Sequence, residues 1–143
     1  MKIVRFKAGD DIAYGLAEAE GVTVYQGSPF VAWEPTETMV PWESVQLISP
    51  VLPPKVVGVG HNYATEDADF EEGKEPVIYL KPATSVVGPN AHVVKPSASD
   101  DVHHAATLAV VIGRVAHNVS AEDASHYLFG ATAAHDVTAH DVQ

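Results

Sequence analysis

The chain has 143 residues, 46% apolar and 19% charged, a balance that suits a folded globular protein and not a disordered one. Eight Lys and Arg against 19 Asp and Glu leave a formal charge of −11 with no basic cluster, which argues against nucleic acid or an anionic membrane as partner. Cysteine is absent, so disulfides and thiolate chemistry are excluded; no apolar run reaches the roughly 20 residues of a membrane span and no signal-peptide pattern opens the chain, so a soluble cytoplasmic protein is expected.

Residues 1–50 read as a small β-rich module. Lys2–Phe6 alternates polar and apolar residues and is broken at Gly9-Asp10-Asp11. Ile12–Ala17 and Val22–Gln26 follow as strands, with Glu20-Gly21 as the turn between them. Trp33 and Trp42 stand in proline-containing stretches that read as loops, and are expected to plug the core of this module.

Pro50, Pro53 and Pro54 mark the passage into a second part, residues 51–143. Lys55–Gly60 reads as a short buried strand ending in glycine, and Asn62–Glu72 as an acidic, exposed loop or short helix. Pro76–Lys81, Val86–Pro89 and His92–Lys95 read as further short strands, and Thr107–Val115 as the longest. Ser120-Ala121-Glu122-Asp123 carries a capping hydroxyl with acids in the first turn, and predicts one short helix near 121–129 that Gly130 ends. Ala131–His140 returns to extended structure. The fold class expected is mainly β, a β-rich α+β chain.

Four segments of the second part follow one another at characteristic spacing: VVGVGHNY (Val56–Tyr63), EPVIYLKPATSVVGP (Glu75–Pro89), TLAVVIGRVAHNVSAEDASHYLFG (Thr107–Gly130) and HDVTAHDVQ (His135–Gln143). Together they closely resemble the fumarylacetoacetate hydrolase family, which includes 2-hydroxyhepta-2,4-diene-1,7-dioate isomerases, acylpyruvate hydrolases and oxaloacetate decarboxylases. Residues 1–50 also look like the small N-terminal domain of that family. The resemblance implies a small N-terminal β domain followed by part of a mixed β-roll. It also implies metal-assisted C–C cleavage, decarboxylation or isomerisation of 2-oxo or 2,4-dioxo acids, with Mg or Mn chelating the acid and stabilising its enolate. In such proteins the metal is held by a Glu-x-Glu pair, whose i, i+2 spacing puts both carboxylates on one strand face, and by a later aspartate. A His–Glu pair activates water.

Laid on this chain, the resemblance puts the Glu-x-Glu pair at Ala105 and Thr107 and keeps the aspartate as Asp136, preceded by His135 in place of the usual Asn. The base and its partner fall on Glu66 and Asp69, and the Arg expected after the aspartate is His140. Lys81 and Gln143 match substrate-binding positions. His104 corresponds to a position often His in the family. Strand parity puts His103 on the face of the missing carboxylates, and would put Asp136, Thr138 and His140 together if their segment is extended. His103, Asp136 and His140 then form a two-His, one-carboxylate set suited to Zn or Fe and not to Mg. The readings left open are a degenerate site with the Mg mechanism lost, a rebuilt or engineered His/Asp metal site, and a non-catalytic binding or assembly protein. A small 2-oxo acid is the expected partner if activity is retained. Family members continue well beyond the position of Gln143, so a homo-oligomer or a complementing C-terminal half is expected to cover open strand edges, unless the chain is a fragment.

Overall fold

The computed structural model of the chain describes residues 1–60, 62, 63 and 75–142. The chain divides into two compact units, Met1–Ala91 and His92–Gln143.

In the first unit, β1 (Ile3–Ala8), β2 (Asp11–Ala17), β3 (Gly21–Ser28) and β4 (Ala32–Pro41) run as an antiparallel meander, and the short β5 (Gln46–Leu47) returns to pair with β1. The sheet order is β4-β3-β2-β1-β5. The alternation read from the sequence is realised here, with Gly9 making the first turn at a φ of 61° that a side chain would resist. Among the described residues, Phe6 and Val22, 1% and 0% exposed, are the buried apolar side chains.

β4 went unread because it contains Pro35 and ends at Pro41. Proline removes a ladder donor, but β4 is the sheet edge, where one donor can be spared. Pro35 lies beside a register shift between Thr23 and Tyr25, and there the Thr36 hydroxyl donates to the Val24 carbonyl at 2.8 Å. The tryptophans are not the core plugs expected. Trp33 sits on β4 against Tyr25, ring centres 4.2 Å apart, and Trp42, 37% exposed, donates its indole N–H to the Glu18 carbonyl at 3.1 Å.

β6 (Lys55–Gly60) and β7 (Val77–Pro82) form a two-stranded antiparallel pair running from Lys55↔Pro82 to Gly60↔Val77. Tyr79 lies opposite Gly58 and its ring occupies the space a Cβ there would need. The strands expected at Val86–Pro89 and His92–Lys95 are absent. A single 3₁₀ turn, Ala83–Ser85, precedes irregular chain in which Asn90 adopts a φ of 61°. A left-handed residue between Pro89 and the following segment breaks the extended backbone that pairing needs.

In the second unit, β8 (Val102–Ile112) and β9 (Leu128–Ala139) form a long antiparallel ribbon, in register from Val102↔Ala139 to Val111↔Gly130. The helix expected near 121–129 is reduced to one 3₁₀ turn, Ala124–Tyr127. Its start signal is real: the Asp123 amide donates to Ser120 Oγ at 3.2 Å, and the Ser120 hydroxyl donates to Asp123 Oδ2 at 2.9 Å. The helix does not propagate because Leu128 and Phe129 enter β9, and Gly130, the expected stop, is a ladder residue opposite Val111. A helix this short is marginal alone, and the ladder offers those residues backbone partners instead. No helix among the described residues is long and apolar enough to cross a membrane.

Candidate functional site

The β8–β9 register decides what each side chain can meet. His103 lies opposite Thr138, Ala105 opposite Asp136, and Thr107 opposite Ala134. Side chains alternate between faces, so His103, Ala105, Thr107, Asp136 and Thr138 share one face, and His140, just beyond the strand in the turn His140–Val142, joins them. The rings of His103 and His140 stand 4.7 Å apart at 43°. Thr138 Oγ1 lies 3.5 Å from Asp136 Oδ1.

His103 also reaches back along its own strand, where its Nε2 is 2.7 Å from Asp101 Oδ1. Both groups are exposed, so the pair adds little stability, but it orients the imidazole. The base of this face is held by a contact that sequence reading missed. Ser99, 1% exposed, donates its hydroxyl to Asp141 Oδ1 at 2.6 Å, and the Asp100 amide donates to Asp141 Oδ2 at 2.8 Å. These two bonds, the Ser99 hydroxyl first, hold the Asp141 carboxyl below the usual carboxylate range. With the His140 amide donating to the Asp101 carbonyl at 2.9 Å, they clamp the end of β9 to the start of β8 and so fix His103 against His140. Nothing in the sequence marks the pair except a serine at the foot of a strand, since its partner is 42 residues away.

The opposite face has a different character. His104 and His135 lie on it, their rings 5.0 Å apart at 70°, among Val102, Ala106, Leu108, Ala133 and Val137. The ribbon therefore divides its histidines by face.

Of the remaining expected site residues, one is described. Lys81 belongs to the first unit, on β7, with its Nζ 6.0 Å from the centre of the Tyr79 ring. Glu66, Asp69 and Gln143 lie outside the described residues, as do His61 and most of the acidic segment after Tyr63. A groove of about 450 Å³ in the first unit, between Trp42 and Gln46 on one side and Pro89 and Asn90 on the other, has no ionisable side chain in its lining.

A hard cation such as Mg needs a shell of oxygen ligands, usually anchored by carboxylates. The face that holds Asp136 has Ala105 directly across from it and Thr107 two residues along, and the Thr107 hydroxyl points to the Ala105 carbonyl at 3.4 Å. Among the described residues no three His, Asp or Glu side chains gather as a cation site. With Ala105 and Thr107 beside it, Asp136 does not fit Mg or Mn held as a Glu-x-Glu pair would hold it.

Residues 55–143 match the model of the fumarylacetoacetate (FAA) hydrolase C-terminal family, and residues 1–50 match that of the Rv2993c-like N-terminal family. Among curated proteins, Protein Rv2993c of Mycobacterium tuberculosis is 36% identical over all of this chain and 57% of its own length. The human mitochondrial oxaloacetate tautomerase FAHD2B is 42% identical over 72% of this chain and 34% of its own. Among solved structures, a 5-carboxymethyl-2-hydroxymuconate delta-isomerase from Mycobacterium smegmatis superposes with a TM-score of 0.88 at 36% identity, covering 100% of this chain and 57% of its own. A 2-hydroxyhepta-2,4-diene-1,7-dioate isomerase from Mycobacterium marinum gives 0.87 at 35%, over 100% and 56%. The chain thus spans about half the length of the relatives it matches from end to end.

Proposed function

The chain belongs to the fumarylacetoacetate hydrolase family, and from that premise we propose that it is a member in which the Mg- or Mn-dependent chemistry on 2-oxo and 2,4-dioxo acids has been lost. One observation carries the reading: on the face where Asp136 stands, Ala105 is its direct cross-strand partner and Thr107 follows, so two carboxylates needed to chelate a cation with a bound oxo-acid are missing. Glu66 and Asp69, at the positions of the water-activating pair, are both acids, and neither supplies the imidazole that would take a proton near neutral pH. Lys81 and Gln143 would remain as contacts for a small oxo-acid. The proposed location is the cytoplasm, without nucleic acid or membrane as partner.

The test is turnover of oxaloacetate and acetylpyruvate with magnesium, manganese, zinc or iron(II) supplied in turn. No turnover with magnesium or manganese is expected. Turnover with magnesium overturns the reading.

A second reading is favoured by the approach of His103 to His140 at 4.7 Å on the Asp136 face. Two imidazoles and one carboxylate suit Zn or Fe(II), and Asp101 on one ring nitrogen of His103 is the kind of outer partner that orients a ligating histidine, although Asp136 does not gather with the two rings in the structure. Here a rebuilt His103, Asp136, His140 set would replace the oxygen site, and turnover with zinc or iron alone, abolished by His103→Ala, supports it. A binding or assembly protein on the same scaffold is the remaining alternative.

For partners, we propose a second copy or a complementing C-terminal half. The support is the apolar strand surface that each unit leaves open: Leu80 is 70% exposed on β7 and Leu108 63% on β8. A measured solution mass of a dimer or larger is expected for the chain alone. A strictly monomeric, non-aggregating species counts against self-association.

A further inference from the structure

The histidines His104 and His135 occupy the face of the ribbon away from Asp136 and take no part in either reading above. They are diagonal neighbours: His104 pairs with Val137, and His135 with Ala106. Every other side chain that parity puts on this face between Val102 and Val110 is apolar, as are the partners Ala131, Ala133, Val137 and Ala139. The two imidazoles stand side by side and exposed on an otherwise apolar strip.

Their spacing is that of an edge-to-face ring pair, and it also matches two imidazoles on one ion. An imidazole bound to zinc or a similar ion has a metal–nitrogen bond of about 2.1 Å, which puts the ring centre about 3.2 Å from the metal. Two such rings at a tetrahedral angle have their centres about 5 Å apart. The centres of His104 and His135 are 5.0 Å apart, with the planes at 70° so that the rings do not stack face to face. The geometry points to a metal site on this face: we propose that His104 and His135 together bind one divalent transition-metal ion, of the Zn, Ni or Cu class, with water or an incoming donor completing the shell. Borderline nitrogen donors without a carboxylate select these ions over Mg or Ca. The strand ladder holds the two backbones in register before the ion arrives, so little ordering is needed on binding. The site is independent of the Asp136 face, because the two sets of side chains project from opposite sides of the same two strands.

The experiment is calorimetric titration of the whole chain with nickel chloride and, separately, zinc chloride at neutral pH. His104→Ala and His135→Ala are each expected to weaken one binding event at least tenfold, whereas the double variant His103→Ala/His140→Ala leaves that event in place. The conservative variants His104→Gln and His135→Gln, which keep a polar side chain of similar size, are expected to weaken it equally. A second readout is copper(II) electron paramagnetic resonance, where splitting from two nitrogens is expected in the wild type and from one in either single variant. Metal affinity unchanged by His104→Ala and His135→Ala overturns the proposal, as does loss of all binding in His103→Ala/His140→Ala.

Discussion

Asp141 is the residue on which the geometry of the Asp136 face depends. Its carboxylate receives the buried Ser99 hydroxyl and the Asp100 amide, and the ionised form is favoured in the fold. The folded-state pKa is below the unfolded one, so the unfolded chain binds the proton more readily. The resulting stabilisation is complete above the ordinary carboxylate range and is lost as pH falls through the lowered value. Asp141→Asn is therefore expected to unfold at a lower temperature than the wild type at pH 7, with the gap closing in acid. Thermal unfolding followed by circular dichroism at pH 7 and at pH 3 checks this, and a gap independent of pH would refute it. This residue was not legible beforehand: an aspartate in HDVQ gives no sign of which distant hydroxyl it will meet, whereas the departures at Ala105 and Thr107 could be read directly against the family pattern.

At the scale of elements, local pattern and tertiary context agree in most strands and part company in a few. β1, β2, β3, β6 and β7 follow from alternation and glycine turns. β4 was hidden by its prolines and is tolerated because it is an edge. The 120–129 segment shows the reverse, since its cap forms while the helix stops after one turn in favour of β9. In the β6–β7 pair, the Tyr79 ring covers Gly58, and Lys81 Nζ stands 6.0 Å from the centre of that ring. Gly58→Ala is expected to destabilise the first unit by about 1–3 kcal/mol through overpacking. Urea denaturation measures it, and in a Tyr79→Ala background the same change should cost much less, since the clash partner is gone.

For the whole molecule, the proposed loss of chemistry can be tested by asking whether two side chains or the scaffold would account for it. Ala105 and Thr107 share the Asp136 face of the ribbon. Restoring the carboxylates with Ala105→Glu and Thr107→Glu together is expected to create saturable Mg binding at least tenfold tighter than that of the parent, lost again on Asp136→Ala. Calorimetric titration with magnesium chloride checks it. If the double variant gains no affinity, the ribbon alone does not make the family's site, and residues outside it are needed.

The β-rich class and the family are legible in the amino-acid sequence alone, and the family resemblance is what singles out Ala105 and Thr107. These are properties of short segments, visible through a period of two and through ordered motifs. Strand parity already grouped His103 with His140, whereas the contact of His104 with His135 came only from the fold. One residue of register slip would exchange the two faces of β9 relative to β8, so the pairing of His103 with His140 and of His104 with His135 depends on the ladder as a whole. The clamp of Ser99 and Asp141 that helps set this register joins residues far apart in the chain, and only folding brings them together.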